Sequence, residues 1–252
     1  QKIMKLCKDT IACPSLREAS EDQVKRIVEA YDVDTIIHTA AISDIGECAA
    51  DPEGSYLANV QIPIWLAKAS KNAKLICFSS DQVYSGLDSD GPYTEERVKG
   101  GNLYAEYKIL MERSVLDIDP DAVMLRAEWM YDYYLEKSNY FMQMIRAEEA
   151  VSFSSRQFRG ITYVKEVAQN MQNVIRLPGG AYNFGSSADV TMFGAAQLLK
   201  EELGDVLLQV VQNIRQRIIS LGGEVRFCAQ VTNVLSEHGR LTGLEINHRE
   251  IL

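Results

Sequence analysis

Two apolar-rich runs constrain this chain more than anything else in it. Val33–Ala41 reads VDTIIHTAA and Lys74–Ser79 reads KLICFS. Neither alternates apolar with polar, as a strand with one wet face would. Such runs belong to strands buried on both faces, in a parallel sheet covered by helices on either side. The segment between them is patterned as a helix. Asp51-Pro52-Glu53 offers a cap followed by proline at the first turn, and the helix should run through Trp65 and Leu66 to about Asn72.

The alternation continues on both sides. Asp9–Cys13 is expected as a short strand. Ser20–Tyr31 is expected as a helix capped by Ser20, with Val24, Ile27 and Val28 at helical spacing. A Gly- and Asp-rich loop over Gly86–Gly101 precedes a helix over Asn102–Leu116 and a strand over Ala122–Arg126. Alternation of this kind implies βαβ units and a doubly wound parallel α/β sheet. After Arg126 the pattern loosens. Short strands are expected near Val151–Phe153, Gly160–Thr162 and Ala181–Phe184, with helices over Val164–Arg176 and Met192–Leu203.

The texture changes after Gly204. Asp205–Leu221 is a long amphipathic pattern carrying Val206, Val210, Ile214, Ile218 and Leu221 on one face, stopped by Gly222-Gly223. Glu224–Phe227, Gln230–Ser236 and Leu241–Ile246 read as short strands, with His238-Gly239 turning the last two into a hairpin. The expected division is a main α/β domain over 1–204 and an appended helix plus β-hairpin tail over 205–252.

Composition narrows the function. The 46% hydrophobic content excludes a disordered chain, and 252 residues suffice for a real core. No window reaches the roughly 18 consecutive apolar residues of a membrane span, and no basic leader precedes an apolar stretch. Lys and Arg total 26 against 35 Asp and Glu, a net charge of -9, with no basic stripe. Nucleic acid is therefore not an expected partner, nor is a membrane. The five cysteines (Cys7, Cys13, Cys48, Cys77, Cys228) are odd in number and form no C-x-x-C pair. That pattern suits a reducing cytoplasm better than a disulfide framework or a zinc site. With only three histidines (His38, His238, His248), no metal site is expected.

The residues that carry chemistry are Tyr104 and Lys108, a Y-x-x-x-K pair whose spacing of four puts both on one helical face. A free tyrosine titrates near 10, too high for acid–base work at neutral pH, and a neighbouring ammonium is expected to lower that value. The pair then suits proton transfer to a carbonyl. Taken alone the motif is common, and it also fits a surface tyrosine packed on a lysine stem. Its context adds weight. Ser79 and Ser80 close the KLICFS strand, and ligands of open α/β sheets bind outside the carboxyl ends of strands. The same serines also fit ordinary turn chemistry. Ala40 and Ala41 end the other run, where small side chains let a dinucleotide approach; they fit a tight strand–loop packing point as well.

Several segments in order resemble the extended short-chain dehydrogenase/reductases, in their dTDP-4-dehydrorhamnose reductase-like branch. They are VDTIIHTAAISD (Val33–Asp44), DPEGSYLANV (Asp51–Val60), FSSDQVYSG (Phe78–Gly86), GPYTE (Gly91–Glu95), LYAEYK (Leu103–Lys108), LRAEWMYD (Leu125–Asp132), FRGITYVKEVA (Phe158–Ala168) and AYNFGSS (Ala181–Ser187). The resemblance spans roughly Asp9 to Gly204. It implies a Rossmann-like sheet with a small substrate-side subdomain, mainly over 127–190. It also implies NAD or NADP as cofactor and a nucleotide-linked or small keto-sugar as substrate. By that resemblance Tyr104 is the catalytic acid. Lys108 tunes it and holds the nicotinamide ribose, and Ser80 binds the substrate carbonyl. Ala40, Ala41 and Ser79 line the cofactor, Asn59 is supportive, and Arg126 with the Arg156–Arg159 region meets a phosphate or sugar. Members often pair through helices of the core sheet, which implies a homodimer.

The sequence departs from that family in three places. Its members open with a strand and a G-x-x-G-x-x-G turn that cradles a pyrophosphate. This chain is read as N-terminally truncated, beginning inside or just after the first helix. Leu16-Arg17-Glu18 stands where the branch has Leu-Asp, and Arg17 cannot accept the adenine-side hydrogen bonds. Asp205–Leu252 instead resembles an internal stretch of FAD-dependent dehydrogenases. The glycine fingerprint and catalytic residues of that family are missing, so FAD is not an expected cofactor. Two functional readings follow: a keto-sugar reductase, or a catalytically inactive homologue serving as a binding or regulatory subunit or as a fusion fragment.

Overall fold

A computed structural model describes residues 2–7, 9–70, 72–132, 141, 144, 152–187, 189–221, 231–237, 240–246 and 249–251. Contacts divide the chain into two units, Gln1–Ala195 and Ala196–Leu252. The first unit is built on four parallel strands. β1 (Thr35–His38), β2 (Lys74–Ser80), β3 (Val123–Ala127) and β6 (Gly180–Phe184) lie side by side in that order, all parallel. β4 (Trp129–Tyr131) and β5 (Ile161–Tyr163) form a separate parallel pair.

The helices start where the sequence supplies caps. α1 (Lys2–Leu6) is short. α2 (Glu21–Tyr31) opens on Ser20, whose hydroxyl accepts from Gln23 N while Gln23 Oε1 accepts from Ser20 N, a reciprocal capping box. α3 (Ile45–Ala50) opens on Asp44, and α4 (Pro52–Tyr56) on Asp51 with Pro52 in its first turn. α4 passes through a π-helical turn, Leu57–Gln61, into α5 (Ile62–Ala69). α6 (Leu103–Ile118) is capped by Asn102, and α7 (Val164–Ile175) follows β5 directly.

Burial on both faces of the strands is borne out by their two-residue period. Leu75, Cys77, Ala122 and Met124 face one way, into a cluster with Val24 of α2, Leu66 of α5, and Met111 and Val115 of α6. Ile76, Phe78, Val123 and Leu125 face the other way, onto Val167, Met171 and Val174 of α7.

Three expectations need correction. Asp9–Cys13 is exposed and irregular, because no strand among the described residues flanks β1 on its outer edge and a lone extended segment has no ladder to join. Residues 152 and 153 carry no strand, while Val151 lies outside the described residues. Gly204 does not end a helix: α8 (Met192–Ser220) runs straight through it. One glycine costs only about 1 kcal/mol in a helix interior, and Glu201, Glu202, Leu203 and Leu207 around it are strong helix formers. In the second unit β7 (Val231–Glu237), β8 (Arg240–Ile246) and β9 (Arg249–Ile251) form an antiparallel sheet. The expected Gly222-Gly223 stop, Glu224–Phe227 strand and His238-Gly239 turn fall outside the described residues. No helix of the described residues is long and apolar enough to cross a membrane.

Candidate active site

The carboxyl ends of β1, β2 and β3 meet the first turns of α6 at one edge of the sheet. The loop that returns from β2 to α6 is pinched at its base. Gly86 N donates to Lys99 O at 2.8 Å and Gly101 N to Ser85 Oγ at 2.9 Å. A Cβ on Gly86 would lie 2.5 Å from Gly100 O, so the two arms close only with glycine there. Asn102 then caps α6 through Ala105 N at 2.9 Å, which places Tyr104 in the first turn.

Tyr104 and Lys108 share a face, as their spacing requires. Lys108 is 1% exposed. Its Nζ donates to Phe78 O at 2.9 Å and sits 5.7 Å from the Tyr104 ring centroid. Burial draws the lysine down to about 8, against the opposing pull of Cys77, Glu112 and Cys48. Tyr104 is also buried, and burial pushes it up to about 12 despite hydrogen bonding from Ser80; Asp81 raises it further. This reverses the expected direction. Desolvation of the ring is the largest cause and outweighs the lowering by Ser80. At neutral pH Tyr104 therefore holds its proton.

Ser79 and Ser80 diverge because successive strand residues face opposite ways. Ser80 Oγ accepts from Gln82 N at 3.2 Å, lies 3.0 Å from Asp81 Oδ1, and faces Tyr104. Ser79, on the α6 side, donates to Glu112 Oε1 at 2.5 Å in the interior. Ala40 and Ala41 are exposed just beyond β1. Asn59, within the π-helical turn, donates to Ile42 O at 2.9 Å and so ties down the chain that follows Ala41. His38 ends β1 opposite Cys77, buried, with Nε2 lacking a hydrogen-bond partner. Burial first, and Lys108 second, hold it near 4, so its ring is neutral.

Arg126 does not reach solvent. Its guanidinium forks onto Glu112 (2.7 and 3.0 Å) and donates to Tyr84 Oη at 2.8 Å and Glu95 O at 2.9 Å, leaving little for an outside phosphate. Arg159 instead pairs with Asp81 at 3.0 Å, in the turn after Ser80. Glu128 follows β3 at the same edge, raised mainly by burial. Sequence reasoning missed Glu112 and Glu128. Glu112 had a signal: it extends the Tyr104–Lys108 spacing by one further step of four. Glu128 had none, since only the strand register sets Ala127 beside Ser80. Among the described residues no cluster of His, Cys, Asp and Glu is suited to a metal.

Residues 7–217 match the RmlD substrate binding domain family. The chain is 36% identical over 114 residues to a dTDP-4-dehydrorhamnose reductase of Mycolicibacterium smegmatis, covering 44% of this chain and 34% of that one. It is 28% identical over 189 residues to a dTDP-4-keto-6-deoxy-D-glucose reductase of Streptomyces niveus, covering 72% of this chain and 65% of that one. It thus spans about a third of the first relative and under two thirds of the second. A crystal structure of dTDP-4-dehydrorhamnose reductase from Bacillus anthracis, in complex with NADP, shares the fold with a TM-score of 0.67. That likeness covers 79% of this chain and 70% of that one, at 24% identity. On sheet order, strand-end geometry and a match over most of its length, the chain belongs to the RmlD substrate-binding-domain family.

Proposed function

We propose that the protein is an NAD- or NADP-dependent reductase of a nucleotide-linked or small keto-sugar. The observation that carries this reading is the gathering of Ser80, Tyr104 and Lys108 at the carboxyl edge of a parallel sheet. The exposed Ala40 and Ala41, just beyond the end of β1, fit the flat face of a nicotinamide dinucleotide, which would supply the hydride when bound. Ser80 orients the carbonyl oxygen through its hydroxyl. Tyr104, still a phenol at neutral pH, donates the proton to that oxygen. Lys108, fixed by the Phe78 carbonyl, lies against the tyrosine ring and stabilises the phenolate as the proton leaves. The related sugar-nucleotide reductases of Mycolicibacterium and Streptomyces support the substrate class.

The test is a titration with NADPH and NADH followed by nicotinamide fluorescence, then turnover of a dTDP-4-keto-6-deoxy sugar. Saturable binding is expected, with Tyr104→Phe binding equally but turning over about 10²–10⁴-fold more slowly. Full turnover by Tyr104→Phe overturns the proton assignment. A folded protein that binds neither dinucleotide is a non-catalytic binding subunit instead.

A further inference from the structure

Below Tyr104 and Lys108, α6 carries a third polar side chain on the same face. Glu112 is 4% exposed, and its only cationic partner among the described ion pairs is Arg126, equally buried. Glu112 also takes the Ser79 hydroxyl. One turn earlier Lys108 takes the Phe78 carbonyl. Helix α6 therefore grips β2 at two consecutive residues, and Ser80 is the next residue along. Arg126 carries the same grip outward. Through its Nη1 it holds Tyr84 and the backbone of Glu95; Tyr84 donates to Asn183 Oδ1 at 2.5 Å on β6, and Asn183 N donates to Glu95 Oε1 at 3.0 Å.

A buried ion pair is a poor way to stabilise a core. Removing two charges from water costs so much that an apolar pair of similar volume is often as stable or more so. The retained charges need another reason, and their position supplies one. Building on the reductase reading, we propose that Glu112 and Arg126 are positioning residues that set the register of Tyr104 and Lys108 against Phe78–Ser80 and keep Lys108 charged. The groups facing Lys108 are His38 on β1, Cys77 on β2, Cys48 on α3, and Tyr104 and Glu112 on α6. Of these only Glu112 is a carboxyl group, and it is the one paired with Arg126.

The experiment follows Lys108 itself, by NMR of the full chain labelled at lysine Cε, with its signal identified by its loss in Lys108→Met. The expected midpoint near 8 falls by about one pH unit or more in Glu112→Gln, because the anion is gone and Arg126 is left unpaired beside the site. Adding Arg126→Met to Glu112→Gln moves it part of the way back. A Glu112→Leu/Arg126→Met double variant, with both charges replaced by apolar groups, is expected to fold but to lower keto-sugar turnover at least tenfold with little change in KM. An unmoved Lys108 midpoint in a folded Glu112→Gln protein, or a double variant with parental turnover, overturns the proposal. The NMR result stands whether or not the protein binds a dinucleotide. A protein that shows the shift but no dinucleotide binding refutes the reductase reading alone.

Discussion

Helix α6 buries two stripes of side chains that act in opposite senses. Met111 and Val115 are fully buried in the apolar cluster beneath β2 and β3. Tyr104, Lys108 and Glu112, four residues apart, are almost as completely withdrawn from water but are polar. Taking apolar surface out of water stabilises the fold; taking a charge out of water does the reverse unless a partner compensates. Lys108 shows the imbalance: its proton is held less tightly than in water even with Phe78 O and Glu112 nearby. One stripe holds the helix down, and the other uses that anchorage to keep polar groups in a dry place.

The largest effect that separates the stripes is expected from Met111→Ala. Met111 is wholly buried in the apolar cluster, so truncation leaves a cavity and costs about 2–5 kcal/mol, read from urea unfolding. NADPH affinity of the folded protein should not change. Loss of affinity under conditions where the variant remains folded would mean that the two stripes are one unit and the comparison fails.

Lys108→Met is expected to move stability the other way. Lys108 titrates at about 8 when folded against 10.5 when free. Between those values the unfolded chain binds more protons, so the parent's stability rises with pH across that window. The full span corresponds to about 3 kcal/mol, held against the fold at and below pH 8. Losing the bond to Phe78 O offsets about 1 kcal/mol, so the variant should be about 1–2 kcal/mol more stable at pH 7. That advantage should vanish towards pH 10.5. A variant less stable than the parent at pH 7 would place Lys108 among the stabilising groups.

The same contrast explains what was legible in the sequence. Stripes that follow simple burial rules could be read directly. Val33–Ala41 and Lys74–Ser79 announced strands covered on both faces, and Ser20, Asp51 and Asn102 stand at their helix starts. Asp9–Cys13 failed because a strand is a property of its neighbours, and no local pattern reports them. Ile45–Ala50, IGECAA, was not recognised as helical; it is too short for periodicity and rests on the Asp44 cap. The Tyr104–Lys108 pair was visible from spacing. The direction of the tyrosine's titration was not, because it depends on how much protein covers the ring. Glu112 sat on the same stripe, but its value comes from Arg126, fourteen residues on and reached only through β3.

The smallest expected effect asks whether position and stability can be told apart within the polar stripe. Asn102 caps α6 two residues before Tyr104, and its Nδ2 also reaches Gln82 Oε1 at 3.3 Å, beside the Ser80 turn. Ser20 caps α2, on the surface and away from this edge. Each is a single side-chain cap, so Asn102→Ala and Ser20→Ala should both lose about 1 kcal/mol. Their effects on chemistry should differ. Without Asn102 the first turn of α6 frays with Tyr104 in it, and turnover should fall several-fold while dinucleotide binding stays near parental. Ser20→Ala should leave both unchanged. Equal losses of turnover in the two variants would mean that Tyr104 responds only to global stability. An isolated loss in Asn102→Ala would show that the helix start sets where Tyr104, the proposed proton donor, stands.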